Sequence, residues 1–206
     1  RKRHPKLWFK DGDIIFTTNA TIFRVHRGVL SMHASVFADM FSLPYPNSDN
    51  VNPTFDGLPV VEVSDADDDF AHLLHLFYDR RYYQHGTETT FDKISGLLRM
   101  STKYQMDELR GEIISHLALA YPSMLEKYKE AIDPKVQLPL FPPFKGQHFV
   151  IVALARETDA SALLPAALWR SSCSGPNDII NGFVNADGRQ IFRLPAFDIP
   201  LCMKAK

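Results

Sequence analysis

The chain has 206 residues, of which 45% are hydrophobic, 23% charged and 12% aromatic, and its formal net charge is −1. This composition excludes a disordered or low-complexity chain, and the 15 phenylalanines indicate more than one layer of apolar packing. The near-neutral charge argues against direct nucleic-acid binding, because a nucleic-acid-binding face is strongly basic.

The N-terminal segment RKRHPK concentrates four Lys or Arg residues in six positions. A run of this kind is typical of a nuclear import signal, and also of a flank that its charge keeps solvated. We favour the second interpretation and assign residues 1–10 to a basic N-terminal flank.

The two cysteines of the chain are Cys173 and Cys202. A chain of this size in an oxidising compartment usually carries more, so we expect a reduced, intracellular setting, in the nucleus or the cytoplasm. Neither a signal-peptide pattern nor an apolar run of about 18 residues occurs, so we expect neither secretion nor a membrane partner.

The first predicted elements are two antiparallel strands over 13–18 and 21–25, because both stretches are rich in β-branched and aromatic residues. Helical spacing after Arg27 then predicts two short helices, the second of which Ser35 can cap. Together they form a helical hairpin packed on the sheet.

Residues 42–59, SLPYPNSDNVNPTFDGLP, contain four prolines and predict an unusually long irregular loop. A strand over 60–63 follows, and then a helix over about 67–79 with one apolar stripe. Four aspartates lie at the start of this helix, at positions 65, 67, 68 and 69. We assign them to helix stability rather than to metal binding, because carboxylates favour the positive end of the helix dipole.

Further helices are predicted beyond this point. Ser123 and Glu126 match a capping box for one of them. The segment VQLPLFPPF fits a proline-recognition pattern, but we expect its apolar side chains to pack onto the domain. The remaining predicted elements are helices over 91–102, 107–119, 123–132, 147–157, 160–171 and 178–183, a turn at 185–188 and a strand over 190–194. The order of elements predicts an α+β fold with helices gathered on a small sheet.

The sequence carries no glycine-rich phosphate loop, nucleophile elbow or zinc-spaced Cys/His set. His72 and His75 lie three residues apart on one helix and could hold a metal with Asp68, but no further ligand is indicated, and we interpret them as an ordinary polar face. We therefore predict no catalytic residue, no metal and no cofactor.

The run from Asp13 through Phe41, with FRVHRGVLSMHASVFADMF at its end, closely resembles the signature of the BTB/POZ domain. The resemblance continues through VVEVSDADDDFAHLLHLFYDRRYY and LLRMSTKYQMDELRGEIISHL and covers about residues 11–120. Residues 121–206, including ALARETDASALLPAALWRSSC, resemble the helical extension of BTB proteins from mushroom-forming fungi. The implied fold is a BTB/POZ-like α+β fold with a mainly helical C-terminal extension.

The resemblance implies a non-catalytic protein-interaction module that forms homodimers and recruits protein partners. In that family an Asp before the first strand and an Arg after the motif's His lie in a charged pocket at the dimer interface. Asp13 and Arg27 match these positions, and His26 lies beside them. Burying an Arg below apolar helices would cost free energy without a carboxylate beside it, which supports such a pair. The alternative is that the side chain of Arg27 points to water.

The family's other known role is as a substrate adaptor for cullin-type ubiquitin ligases, often helped by an apolar-x-Glu element after the Met-Phe. Residues 42–59 stand at that place here and contain no Glu. The resemblance therefore leaves cullin as an alternative partner, but the absence of Glu from residues 42–59 argues against cullin binding.

Overall fold

The computed structural model describes residues 1–43, 54–185, 188 and 191–205. The chain divides into two compact units, the first formed by residues 1–84 and 95–109 and the second by residues 85–94 and 110–206. The division expected from the sequence, into 1–10, 11–120 and 121–206, stays a prediction.

The first unit contains a mixed sheet of five strands. They are β1 Lys2–Trp8, β2 Ile14–Thr17, β3 Thr21–Val25, β4 Thr54–Phe55 and β5 Leu58–Glu62. Their order across the sheet is β1-β3-β2-β5-β4. β2 and β3 form the predicted antiparallel hairpin, with Ile14 opposite Val25. β1 runs parallel to β3, and β5 runs parallel to β2.

Strand β1 lies in the basic segment for which the sequence predicted no regular element. Its main chain pairs with β3, while the side chains of Lys2, Arg3 and Lys6 stay exposed. Leu7, 1% exposed, belongs to the hydrophobic core. Charged side chains suit an edge strand because they discourage pairing with other chains, and they hide the apolar alternation on which strand prediction depends.

The long loop predicted over 42–59 contains two strands at its C-terminal end, β4 and the start of β5. Between them Asp56 has φ 52° and Gly57 has φ 76°, as a two-residue type I′ hairpin requires. The loop prediction is wrong for residues 54–59, while residues 44–53 lie outside the described residues.

Helices cover the sheet of the first unit, and four phenylalanines fill the space between them, Phe16, Phe23, Phe37 and Phe70. The helices between residues 27 and 118 are α1 Arg27–His33, α2 Ser35–Ser42, α3 Asp67–Tyr78, α4 Phe91–Lys103 and α5 Asp107–Ala118, of which α4 begins in the second unit and α5 continues into it. The predicted cap of α2 is wrong, because Ala34 is its N-cap and no side chain caps it.

The second unit is mainly helical. Its further elements are α6 Leu125–Ala131, α7 Gln147–Glu157, a 3-10 turn Ser161–Leu163, α8 Leu164–Ser172, α9 Pro176–Asn181, the antiparallel pair β6 Phe183–Val184 and β7 Ile191–Phe192, and α10 Ile199–Lys204. The capping box predicted at Ser123 and Glu126 is wrong, since α6 begins only after Met124. Parts of the predicted turn at 185–188 and strand over 190–194 lie outside the described residues.

The fold class is α+β, as the sequence predicted. Across the described ranges no helix is both long and apolar enough to cross a membrane.

Candidate functional site

The sequence singled out Asp13, His26 and Arg27. His26 and Arg27 lie where β3 ends and α1 begins, and Asp13, directly before β2, contacts Arg27 there; we call this place the joint. The carboxylate of Asp13 accepts a hydrogen bond from the main-chain N–H of Arg27 at 2.8 Å. Its own N–H bonds to the carbonyl of Val25 at 3.0 Å, which fixes Asp13 beside the start of the helix. The first N–H groups of a helix have no partner within it, so a carboxylate from a neighbouring strand satisfies one of them.

His26 is held by a tyrosine from α3. Its main-chain N–H donates to the hydroxyl oxygen of Tyr78 at 2.9 Å, and its ring Nδ1 lies 2.9 Å from the same oxygen. In the neutral tautomer of His26 that carries its proton on Nε2, Nδ1 accepts from the hydroxyl of Tyr78. This tautomer can donate to the carboxylate of Asp11, 3.3 Å from Nε2.

The hydroxyl of Tyr78 stays protonated at neutral pH. Burial raises the pKa of Tyr78, and the negative charges of Asp13 and Asp11 act in the same direction against the hydrogen bond from His26. Phe9 stacks on the tyrosine ring with centroids 4.4 Å apart, which excludes water from one side of it. Tyr78 therefore keeps its hydroxyl proton and can both accept and donate a hydrogen bond at this joint.

The Arg27 side chain reaches toward α2, where its guanidinium carbon lies 5.7 Å from the ring centroid of Phe41. This is within the range of a cation–π contact. The structure thus brings Asp13 to the main chain of Arg27 and brings the guanidinium to Phe41. Side-chain pairing of Asp13 with Arg27 at a dimer interface stays a prediction.

Helices α1 and α2 form a helical pair, and apolar side chains are exposed on α1 and directly after α2. Met32 in α1 is 77% exposed, and Leu43, directly after α2, is 68% exposed. In the described part of the first unit, these are the two exposed large hydrophobic residues. Val29, Val36, Met40 and Phe41 of the same two helices are partly buried and pack against the hydrophobic core. The pair therefore presents an apolar surface next to the polar joint.

The aspartates at the start of α3 bind the protein itself. Asp67 accepts hydrogen bonds from the hydroxyl of Thr18 and, at 3.1 Å, from the N–H of Ala20. Asp65 is buried, 2.6 Å from Lys103 Nζ and 2.7 Å from the hydroxyl of Tyr104. The cluster joins α3 to the β2–β3 turn and to α4, which supports its assignment to stability.

His72 and His75 both contact Tyr82, the first through its ring Nδ1 and the second by stacking at 5.0 Å between centroids. Among the residues that the structure describes, no group of three or more His, Cys, Asp or Glu side chains could hold a metal ion.

Sequence reasoning missed Asp11, Phe9 and Tyr78 as members of the joint. Tyr78 was visible in the sequence as part of the apolar stripe of its helix, but its partner lies 52 positions earlier. No local pattern links the two, because the contact arises only when α3 packs against the end of β3.

The comparison with known families matches the chain to a domain family. The model of the BTB/POZ domain matches residues 8–118, which include the joint, the helical pair and α3 to α5. A search of curated proteins found no match.

Proposed function

Because the chain belongs to the BTB/POZ domain family, we propose that it self-associates through the surface formed by α1, α2 and the joint at Asp13, His26 and Arg27. The BTB/POZ domain is a protein-interaction module and generally non-catalytic. In this proposal a homodimer forms and recruits a further protein partner.

The single observation that carries the proposal is the exposed apolar surface of α1 and α2. Met32, at 77% exposure, and Leu43, at 68%, are placed in water at the cost of their transfer free energy. A second copy of the same surface would cover them, since a twofold interface uses the same patch on both subunits.

The joint gives this surface a defined polar edge. Asp13 is exposed, and its carboxylate needs only part of its hydrogen-bonding capacity for the N–H of Arg27. In a dimer that covers the apolar surface, the Asp13 carboxylate and the Arg27 guanidinium would lie in a drier setting. There a charge pair fixes geometry more than it adds stability.

The mass of the purified protein in solution, measured by light scattering, tests the proposal. We expect a species of twice the 23.4 kDa chain mass at micromolar concentration, and a shift toward the monomer in the variant with Asp13→Ala and Arg27→Ala. A charge-matched control carries Glu112→Ala and Lys127→Ala, two exposed residues of the second unit. A monomeric wild type would overturn the proposal.

The proposal does not include the cullin-adaptor role, because residues 42–59 contain no Glu. We expect no retention of cullin in a pull-down with the purified chain. Specific retention would reinstate the adaptor role as the second function of the domain.

A further inference from the structure

A cavity of about 620 Å³ lies within the second unit. Its lining includes four apolar residues, Leu138, Leu140, Phe141 and Pro142. It also includes polar groups, among them those of Arg170 on α8 and of the buried Tyr121. The volume lies in the range of pockets that bind small organic ligands or a few side chains of a peptide.

Arg170 brings a positive charge to this cavity. One Nη1–H donates to the carbonyl of Ala120 at a long 3.3 Å, and the guanidinium carbon lies 5.5 Å from the ring centroid of Tyr121. In the described parts of the chain, no carboxylate lies within ion-pair distance of Arg170, although Glu88 also lines the cavity. Arg170 also forms a side-chain hydrogen bond with Tyr121, and a guanidinium carries five N–H donors, so the contacts to Ala120 and Tyr121 leave further donors for another partner.

The groups beside Arg170 do not neutralise its charge. The hydroxyl of Tyr121 lies 2.9 Å from His148 Nδ1. Burial raises the pKa of Tyr121 to about 12, and burial together with the charge of Arg170 lowers the pKa of His148 to about 4. Both groups are therefore uncharged at neutral pH and offer the guanidinium of Arg170 no counter-charge.

Thr89 adds an unused polar group. Its main-chain N–H donates to the carbonyl of Leu140 at 2.7 Å, which fixes the residue at the cavity. Its hydroxyl oxygen is buried and has no hydrogen-bond partner among the residues that the structure describes. A buried hydroxyl without a partner is costly, and a bound water or ligand would remove that cost.

We propose that this cavity binds a carboxylate attached to a bulky apolar group. The carboxylate pairs with the guanidinium of Arg170, whose planar fork matches two carboxylate oxygens. The apolar group lies against Leu138, Phe141 and Pro142. The site uses residues of the second unit alone and does not depend on the proposed self-association.

Such a ligand has two sources, a small organic acid or the free C-terminus of a peptide that ends in an aromatic residue. Calorimetric titration of the full chain uses 4-phenylbutyrate against its neutral amide, and a peptide ending in Phe against the same peptide with an amidated C-terminus. We expect at least one acid to bind at least tenfold more tightly than its amide. Binding of 4-phenylbutyrate would identify a small organic acid as the source, and binding of the peptide acid would identify a peptide C-terminus.

Arg170→Ala is expected to weaken binding of that acid at least tenfold, whereas Arg193→Ala, which removes an exposed arginine of the same unit, leaves it unchanged. Arg170→Lys keeps the charge and serves if the alanine variant does not fold, with an acid-over-amide preference that is smaller but still present. Equal binding of acid and amide to the wild type, or binding of neither at millimolar concentration, overturns the proposal, as does an equal loss in Arg193→Ala.

Discussion

The hydroxyl oxygen of Tyr78 lies 2.9 Å from the main-chain nitrogen of His26 and 2.9 Å from its ring Nδ1. The hydroxyl of Tyr78, on α3, thus provides a hydrogen-bond partner for two polar groups of His26, the residue between β3 and α1. The main-chain N–H of Arg27, one residue later, is satisfied by Asp13. The joint is consequently fixed by two side chains from outside the α1 helix, those of Tyr78 and Asp13.

Tyr78→Phe should lower the free energy of unfolding by about 1–3 kcal/mol, because it leaves the N–H and Nδ1 of His26 without their partner in a half-buried position. Urea denaturation measures this change. Tyr128→Phe is the control, since Tyr128 lies on α6, which buries no residue, and we expect a change within about 0.5 kcal/mol. Equal effects of the two substitutions would contradict the role assigned to Tyr78.

The elements that the sequence predicted well are those whose signal is local. The β2–β3 hairpin and the helices over 67–78 and 147–157 follow from side-chain periodicity, and their observed bounds lie within one or two residues of the prediction. The hairpin at Asp56-Gly57 also had a local signal, an Asp-Gly pair, but the surrounding prolines outweighed it.

The contacts of the site could not be predicted in the same way. The hydroxyl of Tyr78 and the carboxylate of Asp67 bind residues 52 and 49 positions away. Periodicity identifies the face of a helix that is buried, but it does not identify the strand end or turn that this face meets. The family signature pointed to Asp13, His26 and Arg27, and the packing of α3 added Tyr78.

Asp67 should make stability depend on pH at the acidic end. Burial acts to raise the pKa of Asp67, but hydrogen bonds from Thr18, Thr21 and the main chain of residues 20 and 21 outweigh it and lower the pKa below its ordinary 3.8. The unfolded chain therefore binds more protons between the folded pKa and 3.8. The stabilisation is complete above 3.8 and is lost as the pH falls through the folded value.

We expect Asp67→Asn to destabilise the protein at pH 7 and to have a smaller effect near pH 2, which denaturation at the two pH values measures. Asp68→Asn, at an exposed neighbouring position, is the control and should change little at either pH. An effect of Asp67→Asn that is equally large at pH 2 would show that the charge of Asp67 is not the source of the stabilisation.

Met32→Lys should weaken self-association without unfolding the chain. Met32 is 77% exposed, so the substitution costs the monomer less than about 0.5 kcal/mol, while it places a charge in the proposed dimer surface. We expect a dimer dissociation constant at least tenfold larger in sedimentation experiments. Met124→Lys, at a 56% exposed position outside that surface, should leave the constant unchanged, and an equal effect would argue against the surface.

Asp198 and Arg156 form a paired contact in the second unit. The carboxylate, whose side chain is 0% exposed, accepts from Arg156 Nη2 at 2.7 Å and from Nε at 3.2 Å. Asp198→Ala should cost about 2–4 kcal/mol, and Arg156→Ala at least as much, because it leaves a carboxylate buried without its cation. The double variant should cost less than the sum of the two, and additive losses in a double-mutant cycle would contradict coupling.

Gly182, which ends α9, should not tolerate a side chain. Its φ of 83° and ψ of −175° belong to a region that glycine alone adopts readily, and an added Cβ would lie 2.5 Å from the carbonyl oxygen of Phe192. Gly86 offers a control with a similar φ of +75°, and no atom lies within 4 Å of its added Cβ. Gly86→Ala should therefore cost about 1–2 kcal/mol from backbone strain alone.

We expect Gly182→Ala to destabilise the protein clearly more than Gly86→Ala, because the contact with the Phe192 carbonyl adds to the strain and separates β6 from β7. Thermal denaturation of the two variants measures the difference. Hydrogen exchange should locate the extra loss at Phe183 and Phe192, whose pairing depends on the close approach of the chain at Gly182. Equal losses in the two variants would mean that the strand pair shifts to admit a methyl group, and that the backbone conformation alone explains the glycine.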